Sequence, residues 1–121
     1  MSKVLVLDDN EILVTVVTEA LQEAGYDVMG TKDSKNLEKI LQNQSFDLLI
    51  TDIIMPDKEG IEIIIHVREN YSNMKVLAIS GKDMGGSFNI LELASGIGAD
   101  ATLKKPFTNS ELIKTVNNLL G

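Results

Sequence analysis

Apolar residues along this chain fall into two patterns, short continuous runs and helically spaced stripes. The runs predict strands at 3–7, 48–52 and 75–79, a weaker, short strand at 26–30, and a last strand at 99–104. The continuous apolar run at 48–52 predicts a strand that is buried on both faces. Between the predicted strands, apolar residues recur at i, i+3 and i+4, which predicts helices with one inward face. For the first helix we expect an inward stripe made of Ile12, Leu13, Val16, Val17, Ala20, Leu21 and Ala24.

Turn and capping residues mark where these helices begin and end. Gly25 is placed to end the first helix, and Thr108-Asn109-Ser110-Glu111 matches a capping box that opens the last one. We expect a second helix that Ser34 caps, with an inward face made of Leu37, Ile40 and Leu41. A loop over Pro56–Gly60 should lead to a third helix, with an inward face made of Ile61, Ile64 and Ile65. A short fourth helix should follow, with Ser87 as its cap.

Five strands alternating with five helices predict an α/β fold. Such alternation implies right-handed crossovers and a parallel sheet with helices on both faces. With 121 residues and no linker or repeat, residues 1–121 are predicted to form a single domain.

Composition and charge narrow the functional classes. The chain has no cysteine, which excludes disulfides and thiolate metal sites. Its net charge of −7 argues against a direct nucleic-acid surface. No apolar run is long enough to span a bilayer, and no charged leader precedes the first strand. A cytoplasmic location without membrane contact is therefore expected.

Reactive side chains follow four of the predicted strands: Asp8 and Asp9 after the first, Asp52 after the third, Ser80 after the fourth and Lys105 after the fifth. If the strand order is 2-1-3-4-5, the first and third strands are neighbours at the switch point where ligands bind. The three carboxylates would then converge and repel unless a cation intervenes. Oxygen donors without histidine or cysteine favour Mg²⁺, with Mn²⁺ as the alternative.

This combination predicts phosphoryl transfer to a carboxylate. Asp52 is ionised at neutral pH, so it needs no general base to attack phosphorus. The ammonium of Lys105 and the divalent ion would offset charge on the phosphoryl oxygens, and Ser80 offers a hydroxyl donor.

The chain resembles the receiver domains of two-component response regulators, the CheY-like family. The resemblance covers nearly the whole chain and rests on Val6-Leu7-Asp8-Asp9-Asn10, Thr51-Asp52-Ile53-Ile54-Met55-Pro56, Ile79-Ser80-Gly81 and Lys105-Pro106-Phe107. It implies an α/β fold with the strand order 2-1-3-4-5 of flavodoxin-like folds, and a signalling domain rather than an enzyme. Its partners would be a sensor histidine kinase or phosphotransfer protein and an unidentified effector, with a phosphorylation-dependent homodimer left open.

The resemblance also implies residue roles. Asp52 would accept the phosphoryl group from a phosphohistidine, while Ser80 and Lys105 would contact it after transfer. Asp8, Asp9, Asp52 and the backbone carbonyl of Ile54 would face Mg²⁺. A cis bond is expected between Lys105 and Pro106.

Two departures from the family pattern concern the conformational response. Thr102 stands where many members have an aromatic switch residue, so Thr102 is the switch candidate here. The segment 81–98 is longer and richer in glycine than expected, and we predict a mobile loop that phosphorylation orders through Ser80.

Structural interpretations stand beside these functional ones. Asp8 and Asp9 could cap the first helix, Lys105 could be a surface lysine, and Ser80 an ordinary strand-end hydroxyl. Lys104 is interpreted as a solvated charge, and His66 as a helix-surface or partly buried histidine rather than a phosphohistidine or metal ligand.

Three other functions are compatible with the predicted fold. The first is a receiver-like docking module that takes no phosphate. The second is a hydrolase with an aspartate nucleophile, which would normally carry an Asp-x-Asp arrangement after the first strand. The third is a flavin-binding module, which the acidic loop after the first strand disfavours.

Overall fold

The computed structural model describes residues 2–53, 60–81 and 90–121. Its sheet has five strands in the order 2-1-3-4-5, and every neighbouring pair is parallel. The predicted α/β class and strand order are confirmed. The strands are β1 Lys3–Leu7, β2 Asp27–Thr31, β3 Leu48–Asp52, β4 Lys75–Ser80 and β5 Ala101–Lys104.

In the described residues a helix follows each strand, as alternation predicted. The helices are α1 Glu11–Glu23, α2 Leu37–Asn43, α3 Gly60–Asn70, α4 Ile90–Ile97 and α5 Asn109–Leu120, with a 3₁₀ turn, Ser34–Asn36, before α2. None of these helices is long and apolar enough to cross a membrane.

Alternate residues of each central strand serve two separate cores. Leu5 and Leu7 of β1 point to a core that α2, α3 and α4 cover. Val4 and Val6 point to a second core under α1 and α5. Because β1, β3 and β4 are buried on both faces, their sequences read as continuous apolar runs rather than alternating ones.

The predicted stripe of α1 was too wide. Val17, Ala20 and Leu21 are buried, but Ile12 is 76% exposed and Val16 is 46% exposed. A helix lying on a sheet buries one side only, so an apolar pattern that covers more than that side leaves residues in solvent. Ala24, also assigned inward, is the exposed C-cap.

The third helix needed a similar correction. Ile63, Ile64 and Val67 are buried, whereas Ile65 is exposed. Gly60, predicted as the last loop residue, is the first residue of α3. The remainder of the Pro56–Gly60 loop and the Ser87 cap lie outside the described residues.

Helix caps were predicted with mixed success. The capping box of α5 is confirmed, since Thr108 and Glu111 bond reciprocally. Gly25 follows the C-cap of α1 with a φ of 100°, the left-handed conformation that favours glycine. The Ser34 prediction was wrong: the Asp33 carboxylate accepts the Lys35 N–H and caps the 3₁₀ turn that precedes α2.

Candidate functional site

The carboxyl ends of β1 and β3 bring the predicted acids together. Asp8 follows β1 directly, and Asp52 is the last residue of β3. Since Leu7 pairs with Thr51, the next residue of each strand arrives at the same level of the sheet edge. Ligand atoms of Asp8, Asp9 and Asp52 all lie within 4.8 Å of one another.

Burial differs among these carboxylates. Asp8 is fully buried and Asp52 is 6% exposed, whereas Asp9 is exposed. The backbone N–H of Asn10 donates to Asp8 Oδ1 at 2.9 Å, which fixes the Asp8 side chain in the turn after β1. Desolvation, followed by a hydrogen bond with Asp8 and the charge of Asp8, raises the pKa of the Asp9 carboxyl. The arrangement therefore stores electrostatic repulsion that a cation could relieve.

Lys105 supplies one positive charge to this cluster. Its Nζ lies 2.8 Å from Asp8 Oδ2 and 3.4 Å from Asp52 Oδ2. Burial alone would lower the pKa of Lys105, but the hydrogen bond to Asp8 and the attraction of Asp52 outweigh it and raise that pKa. Lys105 is therefore an ammonium at neutral pH, and it contacts both buried acids.

The backbone around Lys105 explains how a residue distant in sequence reaches β1 and β3. Its N–H donates to the carbonyl oxygen of Ser80 at 2.8 Å, so it continues the β4–β5 ladder by one residue. The Lys105–Pro106 peptide bond is cis, as expected from the resemblance. The Lys105 side chain then passes over Gly81, where an added Cβ would lie 3.2 Å from Lys105 Cδ.

Ser80 and Thr102 lie on the neighbouring strands. Ser80 ends β4 and is buried. It is one residue beyond Ile79, the register partner of Asp52. Thr102 is partly buried on β5 and pairs with Ala78. Ile54 and residues 82–89 of the predicted loop lie outside the described residues, whereas 90–97 of that segment form α4.

The donor set fits a magnesium ion. Among the residues that the structure describes, Asp8, Asp9 and Asp52 form the one group of three acidic, histidine or cysteine ligands close enough to share a metal. Carboxylate oxygens are hard ligands, and Mg²⁺ takes one or two of them directly while keeping several waters. A partly open cluster with one exposed carboxylate leaves room for these waters, which a site closed by protein ligands would not.

Several structural alternatives can now be compared with the contacts. Asn10 caps α1, because its side chain accepts the N–H groups of Ile12 and Leu13. That residue was not singled out from the sequence, although asparagine is a common N-cap. Asp8 and Asp9 are therefore not needed as side-chain caps.

His66 lies away from the carboxylate cluster. His66 Nε2 contacts Glu38 Oε2, and Tyr71 donates to the other oxygen of Glu38 at 2.9 Å, which joins α2 to α3. Lys104 is exposed. A cavity of about 320 Å³ lies before β3 and β4 at the opposite sheet edge, and neither a carboxylate nor a lysine lines it.

Comparison with known proteins identifies the class of protein to which this fold and this carboxylate-lined sheet edge belong. Residues 4–117 match the model of the response regulator receiver domain. The chain belongs to that family, so it is a receiver domain of the two-component response regulators, as the resemblance implied.

Similar proteins include bacterial transcriptional regulators. The chain is 35% identical over 112 residues to the uncharacterized transcriptional regulatory protein YrkP of Bacillus subtilis, covering 91% of this chain and 46% of YrkP. It is 31% identical to the alkaline phosphatase synthesis regulator PhoP of the same organism, covering 98% of this chain and 48% of PhoP. The chain thus spans less than half the length of these relatives.

Solved structures match over nearly the whole chain. The chemotaxis response regulator CheY4 of Vibrio cholerae is 30% identical with a TM-score of 0.86, over 98% of each chain. The beryllofluoride-activated receiver domain dimer of NtrC4 is 30% identical with a TM-score of 0.88, over 98% of this chain and 96% of that one.

Proposed function

We propose that this receiver domain accepts a phosphoryl group on Asp52 and passes the signal on through a conformational change. One observation carries the proposal. The Asp52 carboxylate is almost fully buried at a strand end, within 4.8 Å of two further carboxylates and 3.4 Å from the Lys105 ammonium. Buried charged groups that cluster around one acid are typical of functional sites, and this cluster suits a site that binds a phosphoryl group.

The chemical step follows from these groups. An Asp52 oxygen forms a bond to phosphorus as the P–N bond of a phosphohistidine breaks, and the electron pair stays on the departing imidazole nitrogen. Lys105, held at the cluster by Asp8, offsets negative charge on the phosphoryl oxygens. The Ser80 hydroxyl donates to one of these oxygens after transfer.

Asp8, Asp9 and Asp52 would hold the magnesium ion together with the backbone carbonyl of Ile54, and Mn²⁺ could substitute. When bound, the ion supplies positive charge to the phosphoryl oxygens as they approach the carboxylates. The support for this ligand set is the 4.8 Å grouping of the three acids and the raised pKa of Asp9.

Partners follow from the phosphoryl chemistry and from family membership. A histidine kinase or phosphotransfer protein with a phosphohistidine would supply the group, and an effector would read the response. Two features of the response are proposals as well: Thr102 as the switch position, and dimerisation on phosphorylation, which the dimer of the activated NtrC4 receiver domain supports.

Labelling by acetyl phosphate tests the acceptor. We expect the chain to take one phosphoryl group in Mg²⁺, and Asp52→Asn to take none, because an amide oxygen is a poor nucleophile. Intact-protein mass spectrometry measures the added mass, and both samples are also run in EDTA.

Asp47→Asn is the matched control. Asp47 is exposed, lies before β3 at the other sheet edge, and accepts the Lys3 N–H at 2.8 Å. It should label like the wild type. Label persisting in Asp52→Asn would refute the acceptor, and equal labelling in EDTA would refute the metal requirement. A chain that never labels, yet binds its partner, would favour the docking-module alternative.

A further inference from the structure

Gly60 packs directly against the backbone that carries the proposed acceptor. It is the buried first residue of α3, and its N–H donates to the Ile53 carbonyl oxygen at 2.7 Å. A Cβ at Gly60 would lie 2.2 Å from the carbonyl oxygen of Asp52 and 2.5 Å from Cα of Ile53. These neighbours are main-chain atoms, so no side-chain rotation could make room for a methyl group.

The strand end after the acceptor is held from two sides. The N–H of Ile53 donates to the Ile79 carbonyl oxygen of β4 at 3.0 Å, and its own carbonyl oxygen accepts from Gly60. Ile53, the residue that follows Asp52, is thus fixed between β4 and the start of α3. This fixes the direction in which the Asp52 side chain leaves the strand, toward Asp8 and Lys105.

We propose that Gly60 is a positioning residue for phosphoryl transfer. Its missing side chain lets α3 begin in contact with the Asp52 carbonyl, which sets the place of the nucleophile relative to Asp8 and Lys105. The inference rests on the proposed function of Asp52. Reacting groups tolerate little displacement, and a shift of about 1 Å costs roughly a hundredfold in rate.

The test compares two glycine variants that both introduce a clash. Gly60→Ala should lower the rate of Mg²⁺-dependent labelling at saturating acetyl phosphate by at least about tenfold. Gly98→Ala is the control for general destabilisation. Gly98 has a φ of 126° in the turn between α4 and β5, and a Cβ there would lie 2.4 Å from Arg68 Cγ. Because that turn is at the opposite sheet edge, its labelling rate should stay within about twofold of wild type.

Rates are expressed per folded molecule, from far-UV circular dichroism of the same samples. If either variant is less than half folded, all samples are measured with trimethylamine N-oxide, which favours the folded state.

A second readout needs neither the ion nor the phosphodonor. In metal-free Gly60→Ala, amide hydrogen exchange at Ile53 should speed up more than exchange at Leu5 in central β1. Global destabilisation alone would speed exchange at Ile53 no more than exchange at Leu5.

The outcomes separate the two proposals. Wild-type labelling in Gly60→Ala, or equal loss in both glycine variants, would overturn the positioning role and leave Asp52 as the acceptor. Failure of the wild type to label would overturn the proposed function. If amide exchange at Ile53 is unchanged in Gly60→Ala, the contact of Gly60 with the strand end does not constrain the backbone at Ile53.

Discussion

At the scale of one residue, the raised pKa of Asp9 indicates that ionising this acid is costly in the metal-free protein. Its pKa is raised by desolvation and by Asp8, so its ionised form is penalised in the folded state relative to the unfolded state. The penalty operates above the folded pKa and disappears below the unfolded value of about 3.9, where both states are protonated. Lys105 compensates for part of this repulsion through Asp8 and Asp52.

Asp9→Asn should therefore stabilise the metal-free protein. We expect a higher midpoint of thermal unfolding than wild type at pH 7 in EDTA, and a difference that shrinks as the pH falls toward 3. Mg²⁺ should raise the midpoint of the wild type, since a ligand that binds only the folded state stabilises it, and should raise that of Asp9→Asn much less.

Differential scanning calorimetry measures these midpoints. Asp27→Asn is the control, because Asp27 is an exposed acid at the start of β2, on the opposite sheet edge. It should respond to Mg²⁺ as wild type does. An Asp9→Asn variant less stable than wild type in EDTA would contradict the account of repulsion.

At the scale of single elements, α1 shows that an apolar sequence pattern can include more residues than the helix buries. Its pattern has more apolar positions than one buried side can hold, and Ile12 and Val16 face solvent while Leu21 is fully buried. By contrast, the α5 capping box was readable from the sequence, because all its contacts join residues three apart.

Alanine substitutions along α1 should reproduce this division. Ile12→Ala should change the free energy of unfolding by less than about 0.5 kcal/mol, because the side chain is already in solvent. Leu21→Ala should cost about 2–5 kcal/mol, because it removes a fully buried side chain from the core under α1 and α5. Urea titrations followed by circular dichroism give both values. A similar loss for both variants would show that Ile12 is covered in solution.

For the whole molecule, the question is whether two cores on opposite faces of one sheet unfold together. Tyr26 packs against the core under α1 and α5, and Tyr71 packs against the core under α2, α3 and α4. They are the only tyrosines, and the chain has no tryptophan. Since β1, β3 and β4 contribute to both cores, we propose that residues 1–121 behave as a single domain.

Unfolding should accordingly be cooperative across the sheet. In Tyr26→Phe, tyrosine fluorescence reports Tyr71 alone, and in Tyr71→Phe it reports Tyr26 alone. Within each variant, the urea transitions by fluorescence and by far-UV circular dichroism should coincide. A fluorescence midpoint separated from the circular dichroism midpoint in either variant would indicate that one face melts independently.

The amino-acid sequence, together with its family resemblance, was sufficient for the alternation of strands and helices, the strand order of the sheet and the edge where the acids meet. Buried parallel strands require continuous apolar runs, and the residues just after them share one edge. Asp8, Asp9, Asp52 and Lys105 could therefore be grouped from the sequence.

Tertiary structure alone settled the contacts that join distant parts of the chain. It showed that Lys105 lies closer to Asp8 than to Asp52 and that His66 pairs with Glu38. It also showed that Gly60 abuts the Asp52 carbonyl oxygen. The reason is physical: local patterns fix periodicity and caps, whereas these distances depend on how each helix packs on the sheet, which a single element's sequence does not encode.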